Sequence, residues 1–204
     1  MGRRKDFLMR TRQYILDAAE RMLQTKGLAR LTNKEIAEAA GCAEGTLYNH
    51  FETKEALILA AIEENQPEFF TVVGEDRIGE RSIEENVQDI ARAAIRYYQK
   101  LLPLTTALFA DMDLLAHFRL WLHEHQRGPL GLYEIVANYV AAEQRLGRLK
   151  PEIKPFAFAA LLLGPCHQYA FINYFQGFNP FPVPEEQFVT DLVQTLLQGG
   201  LPVK

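Results

Sequence analysis

Residues 32–54 read TNKEIAEAAGCAEGTLYNHFETK, and this stretch sets the expectation for the whole chain. Thr32 and Glu35 stand at the T-x-x-E spacing of a capping box, in which each side chain satisfies a free backbone N–H at a helix start. Ile36, Ala39 and Ala40 follow at helical spacing on one apolar face. Gly41 occupies the place where a left-handed residue ends a helix. A second helix is predicted at once, over about residues 43–50. At about 100° per residue, Ala43 and Phe51 fall within about 40° of Leu47, while Gly45 and Asn49 point the other way and Thr46 and Tyr48 flank them. The inward side is small and apolar, the outward side is polar, and Gly45 has no side chain to hold the helix off a partner. A polar outer face is ordinary on any surface helix. Joined to a capped helix and a glycine turn, it gives the layout of a helix-turn-helix, whose second helix enters the DNA major groove.

Upstream, Ile15, Ala18, Ala19, Met22 and Leu23 form an apolar stripe. It predicts a bracing helix from residue 7 or 11 to residue 26, closed by Gly27. Downstream, Thr53 is a fitting N-cap for a fourth helix that bends or stops near Pro67.

The run AGCAEGTLYNHFETKEAL, residues 40–57, resembles the signature of TetR-type transcriptional repressors. Ala40, Gly41, Gly45, Leu47, Tyr48, His50, Phe51, Lys54 and Glu55 carry the match. IAEAAG before it and LDAAERMLQTKG further upstream agree, so the resemblance spans residues 11–61. Two positions depart from the pattern. Ala43 stands where the family usually has serine, a lost N-cap oxygen costing about 1 kcal/mol. Cys42 replaces a small apolar residue and reads as packing, since a lone buried cysteine behaves as a small hydrophobe.

With that layout, Tyr48 and Lys54 are expected to hold one DNA backbone strand. Thr46 and Asn49, with Glu44 and His50 beside them, would meet base edges. Thr32, at the start of its helix, leaves backbone N–H groups that favour a phosphate.

Charge is distributed unevenly. The chain of 204 residues carries a net −4, yet residues 1–55 hold ten Lys/Arg against eight Asp/Glu. Arg3, Arg4, Lys5, Arg10 and Arg12 face only Asp6 in the first twelve residues. This basic start is either an arm that reaches phosphates or a solvated terminus. It lacks the apolar segment of a secretory signal. With 48% apolar and 24% charged residues the composition is that of an ordinary soluble domain. Two cysteines imply no disulfide framework and fit a reducing cytoplasm. No uninterrupted apolar run approaches the roughly 18 residues of a membrane span.

Beyond residue 69 only helical patterns appear. Ser82 and Glu85 form a second capping box. Ile83, Val87, Ile90, Ala91, Ala94, Ile95 and Tyr98 mark a long amphipathic helix to residue 102, and Pro103 is expected to start a fresh one. Gly128, Pro129 and Gly131 precede a helix over residues 132–146. The segment FAFAALLLGPCHQYAFINYF is apolar almost all round, so one side faces its own core and the other calls for a second copy of the chain. A last helix carries Phe188, Leu192 and Leu196 in a row before Gly199 and Gly200. The family resemblance implies a four-helix dimer interface from the last two helices, here Phe158, Leu162, Tyr169, Phe188, Leu192 and Leu196. The resemblance also implies an effector site among the C-terminal aromatics, with Phe109, Phe118, Trp121, Tyr133, His167 and Phe171 as candidates and an apolar or aromatic compound as the ligand.

Two clusters invite chemistry and do not support it. His123 and His125 diverge by about 160° on a helix, and with His117 they give no convergent metal set. Cys166 and His167 diverge by about 100° and cannot pair as nucleophile and base. No cofactor, metal or catalytic group is expected.

The resulting expectation is all-α: a three-helix helix-turn-helix domain with its linking helix over residues 1–69, and a larger helical effector-binding and dimerisation domain over residues 70–204, with about nine helices in total. Its function would be that of a homodimeric regulator, a repressor released from a palindromic operator on double-stranded DNA by a small molecule. The alternative is a small-molecule-binding protein or enzyme with a vestigial helix-turn-helix.

Overall fold

The structure is a computed structural model that describes residues 2–26, 32–64, 67–124, 128 and 130–199. Gly27, His125, Pro129, Gly200 and the side chains of Arg3, Arg4 and Lys5 lie outside the described residues. Among the described residues the fold is all-helical, with ten α-helices and one short 3-10 turn. In order these are α1 (Gly2–Lys26), α2 (Asn33–Ala39), α3 (Glu44–His50), α4 (Lys54–Glu64), α5 (Pro67–Val72), the 3-10 turn (Glu75–Arg77), α6 (Ile83–Phe109), α7 (Met112–Glu124), α8 (Gly131–Arg145), α9 (Pro155–Gln176) and α10 (Glu185–Gln198). The helix that starts at Pro67 is the one added to the expected set; proline is suited to a first helical turn because its missing N–H has no partner there anyway.

The chain forms two compact units. The first joins residues 1–65 to residues 100–126, and the second joins residues 66–99 to residues 127–204. Packing therefore divides the chain otherwise than by a single cut after residue 69.

In the first unit α1 lies against α2, α3 and α4. Its buried stripe is Ile15, Ala18, Ala19 and Leu23, with Met22 packed at the edge. Ile36, Leu47, Leu57 and Ile58 meet it from the next three helices, and Leu104, Leu108 and Leu114 complete the cluster. Helix α1 begins at Gly2, earlier than the stripe suggested. Asp6 is a candidate N-cap ahead of residue 7, but no proline stops the helix from running on through it. The basic start is thus a helical extension.

Pro103 does not start a new helix; it lies inside α6, which continues to Phe109. Proline removes one backbone hydrogen bond, a loss of about 3 kcal/mol in a helix interior. Burial of Leu102, Leu104 and Leu108 on both sides opposes that loss. The Thr105 and Thr106 hydroxyls donate to the Leu102 carbonyl at 3.1 and 2.8 Å. The actual break falls at Asp111, whose carboxylate accepts from the Leu114 N–H at 3.0 Å as a cap for α7.

In the second unit α9 packs along α8 and α10 packs on α9. The expected stripe of α6 is buried from Val87 through Ile95, with Tyr98 at its end. Its Ser82–Glu85 capping box is closed in both directions, Glu85 N–H to Ser82 Oγ at 3.1 Å and Ser82 N–H to Glu85 Oε2 at 3.0 Å. Asp89 on the same helix takes Arg77 at 3.2 Å and Arg92 at 3.3 Å, together with Arg81. Burial pushes the Asp89 carboxyl up, but the Arg81 and Arg77 guanidinia outweigh burial and hold it below the usual aspartate range.

Glu143 on α8 is fully enclosed. Its Oε1 accepts the Gly79 N–H at 3.1 Å, and its Oε2 lies 3.3 Å from Arg148 Nη1 in an ion pair not aligned as a hydrogen bond. Arg148 also donates to the carbonyl of Arg81. This buried pair ties α8 to the loop ahead of α6, where Gly79 holds a positive φ of 82° and Arg81 one of 51°.

Three residues expected at a dimer interface belong elsewhere. Phe158, Leu162 and Tyr169 are buried inside the chain, on the side of α9 that forms the core of the second unit. Tyr169 stacks on Phe181 and Phe188, each at 4.6 Å, and its hydroxyl accepts from Asn179 at 3.0 Å. A helix apolar on all sides does not reveal which side its own core takes. The other side carries Ala157, Leu161, Gln168, Phe171 and Phe175, all exposed. Phe188, Leu192 and Leu196 on α10 are half-buried.

Candidate nucleic-acid interface

The α2–α3 pair is built as its sequence suggests. Thr32 Oγ1 accepts from the Glu35 N–H at 3.2 Å, and the Thr32 N–H donates to Glu35 Oε2 at 3.2 Å. The box places a carboxylate at the helix start, so a phosphate near Thr32 would meet the Glu35 charge. At the other end Gly41 takes a φ of 69°. The Gly41 N–H bonds the Glu38 carbonyl at 3.1 Å and the Cys42 N–H bonds the Ala37 carbonyl at 2.9 Å, the paired bonds of a left-handed helix stop. Cys42 is half-buried, and burial pushes its thiol up, which keeps it a packing group.

Helix α3 turns Leu47 into the core and leaves Glu44, Gly45, Tyr48 and Asn49 exposed, with Thr46 half-buried on the flank. Nothing lies within 4 Å of where a Cβ on Gly45 would stand. Ala43, expected on the inward side, is exposed: as the N-cap it has extended backbone, ψ 148°, and leaves the helical wheel. It makes no side-chain cap bond, as its missing hydroxyl implied. Phe51 is buried below α3, and the Arg12 guanidinium sits 5.0 Å above its ring. His50 departs from expectation. Its Nε2 is enclosed and has no hydrogen-bond partner, so that nitrogen is withheld from any base edge. Thr53 Oγ1 accepts from the Ala56 N–H at 3.1 Å and caps α4, whose first residue is Lys54.

One contact at this surface had no signal in the sequence. Asn33 Nδ2 donates to the Tyr48 hydroxyl at 2.9 Å, across 15 positions of chain, and joins the first turn of α2 to the exposed face of α3.

The candidate effector residues divide between the two units. Phe109, Phe118 and Trp121 lie in the first, where Phe118 packs on the core and stacks on Trp121 at 6.2 Å while Phe109 is exposed. Tyr133, His167 and Phe171 lie in the second. There Tyr98 meets His167 edge to face at 4.9 Å, His167 stacks with Phe171 at 6.4 Å, and Tyr133 stacks with Phe156 at 5.9 Å. Burial first, then the neighbouring Tyr133 and Tyr97, keeps the Tyr98 phenol well above its usual range and therefore neutral. Tyr98 was read as core from its helical spacing, which hid its place beside His167. The Cys166 thiol is buried and pushed up to about 12 by that burial, so it is not a nucleophile. Among the described residues no group of three His, Cys, Asp or Glu is placed to hold a metal.

Comparison with known proteins agrees with this geometry. Residues 15–61 match the family described as bacterial regulatory proteins, tetR family. The HTH-type transcriptional regulator TtgR of Pseudomonas putida is 41% identical over 61 residues, which is 30% of this chain and 29% of that protein. The regulator UidR of Escherichia coli is 27% identical over 163 residues, 75% of this chain and 76% of that one. The fold of the fatty acid degradation regulator FadR from Bacillus halodurans superposes with a TM-score of 0.69 at 18% identity, over 95% of this chain and 97% of that one. The matched segment is the one that builds α1 to α4, and the similarity in fold extends over the remaining helices. Residues 15–61 thus carry the sequence of the tetR family of bacterial regulatory proteins, and the helices beyond them share the fold of the FadR structure.

Proposed function

We propose that this chain is a DNA-binding transcriptional regulator, acting as a homodimeric repressor that a small molecule releases from a palindromic operator. The observation that carries the reading is α3: a capped, glycine-turned helix that buries Leu47 and exposes Gly45, Tyr48 and Asn49 on one polar face. Thr46 and Asn49 are the base-edge candidates, with Glu44 at the margin. Tyr48 and Lys54 are the phosphate candidates, and Thr32 a further one. Pairing is supported by the outer side of α9, where Leu161 and Phe175 are 60% and 75% exposed on an otherwise apolar helix. A second copy laid there would cover that face, and the resulting dimer would carry two copies of α3 to match the two halves of a palindromic operator. The effector candidate set is Tyr98, Tyr133, His167 and Phe171, which suits an apolar or aromatic ligand. Release requires that the ligand bind the DNA-incompetent state more tightly, and that difference sets the size of the switch.

The test is binding to duplex from the region upstream of the chain's own gene, against random duplex of equal length. Tighter binding to the former is expected; equal binding removes the regulator reading. Lys54→Ala supplies a finer check. Loss of one phosphate contact per binding site lowers the salt slope of log K by about 0.9. An unchanged slope takes Lys54 out of the interface.

A further inference from the structure

The Tyr48 hydroxyl has one proton to give and lone pairs to accept with. In this structure it accepts, from Asn33 Nδ2 at 2.9 Å. Its own proton is therefore available to another acceptor. Tyr48 is 47% exposed, on the same face as Gly45 and Asn49. The other end of the amide, Asn33 Oδ1, is enclosed and has no hydrogen-bond partner. The only bond Asn33 makes with its side chain among the described contacts is thus the one to Tyr48.

A side chain that leaves one buried polar atom unpaired carries a standing penalty, roughly 1–3 kcal/mol for such a group. An apolar residue of the same shape would avoid it. Asparagine at this position is therefore poorly explained by packing, and its one product is the state of the phenol. An N–H donated to the phenol oxygen polarises its O–H and makes it a better donor. Phosphate oxygens accept hydrogen bonds and never donate them, so a tyrosine that meets DNA backbone must present its proton. We propose that Asn33 is a positioning residue that holds Tyr48 as an outward hydrogen-bond donor to a backbone phosphate of double-stranded DNA. Asn33 acts through Tyr48 and does not itself touch the duplex. The inference rests on the DNA-binding reading and adds to it the residue that sets the polarity of one contact.

The test is a double-substitution cycle read by affinity for a random-sequence duplex of about 40 base pairs at low salt, where phosphate contacts dominate. Asn33→Leu keeps the side-chain shape, removes the donor and also removes the unpaired oxygen, so it is expected to fold at least as well as the parent chain. It should weaken binding by roughly three- to tenfold, the usual range for one hydrogen bond. Tyr48→Phe should weaken binding to a similar degree. In the Tyr48→Phe background, Asn33→Leu should then change affinity by less than about twofold, because the group it acts through is gone. Asn33→Asp keeps the shape but can only accept, so it draws the phenol proton inward and should bind more weakly than Asn33→Leu.

Equal losses from Asn33→Leu in both backgrounds, or no loss in either, would overturn the positioning role while leaving the DNA reading intact. A parent chain with no affinity for any duplex would remove the DNA reading, and this inference with it.

Discussion

Glu143→Ala is expected to lower the free energy of unfolding by about 3–5 kcal/mol, the cost of removing one member of a buried ion pair. The carboxylate is fully enclosed, and its loss takes the acceptor from the Gly79 N–H at 3.1 Å and the counter-charge 3.3 Å from the Arg148 guanidinium, which keeps its bond to the Arg81 carbonyl. Against a total stability of about 5–15 kcal/mol for a domain, this is enough to unfold a large share of the molecules. Urea denaturation with a fixed slope reads the change directly. The double variant Glu143→Leu with Arg148→Leu separates charge from anchoring. Exchange of a buried pair for apolar residues is often neutral, so most of the loss should return. The Gly79 N–H still lacks its acceptor, which leaves a residual deficit of about 1–3 kcal/mol. A single variant that loses less than about 1 kcal/mol would mean that the carboxylate is not enclosed as described.

Both that pair and the Asn33–Tyr48 contact show where the sequence stopped being readable. Glu143 meets Gly79 across 64 positions, and Asn33 meets Tyr48 across 15. Neither distance leaves a trace in local spacing. By contrast the two capping boxes close over three residues and the Gly41 turn over five, and these were legible because the bonds that make them are local. Leu47 was placed correctly by helical periodicity, yet Ala43 was not, since periodicity ends at the N-cap. Helix α9 marks a different limit. Its apolar residues surround the axis, so the sequence did not tell the side that faces its own core from the other, and Phe158, Leu162 and Tyr169 lie on the core side. Pro103 was read as a helix start because proline breaks a helix in isolation. Apolar side chains buried before and after it decided otherwise.

Gly45→Phe is expected to abolish specific DNA binding, a loss of roughly a hundredfold or more toward the non-specific level, while the fold is kept. The two effects have opposite signs, which makes the substitution informative. In the free protein the new side chain meets nothing, because no atom lies within 4 Å of the Cβ position. Glycine is also among the poorest helix formers, so Gly45→Phe should leave stability unchanged or raise it by a few tenths of a kcal/mol. Gly45→Ala should raise it further, by about 0.5–1 kcal/mol. In the proposed complex the same open space is the gap through which α3 approaches base edges, and a phenyl ring there would hold Thr46 and Asn49 beyond hydrogen-bond reach of them. Alanine, with a single methyl, should cost far less affinity than phenylalanine. The graded series therefore tests distance of approach and not helix integrity. If Gly45→Phe bound its operator duplex as tightly as the parent, with thermal stability intact, the exposed face of α3 would not be the surface that meets DNA. The regulator would then have to read its operator through some other element.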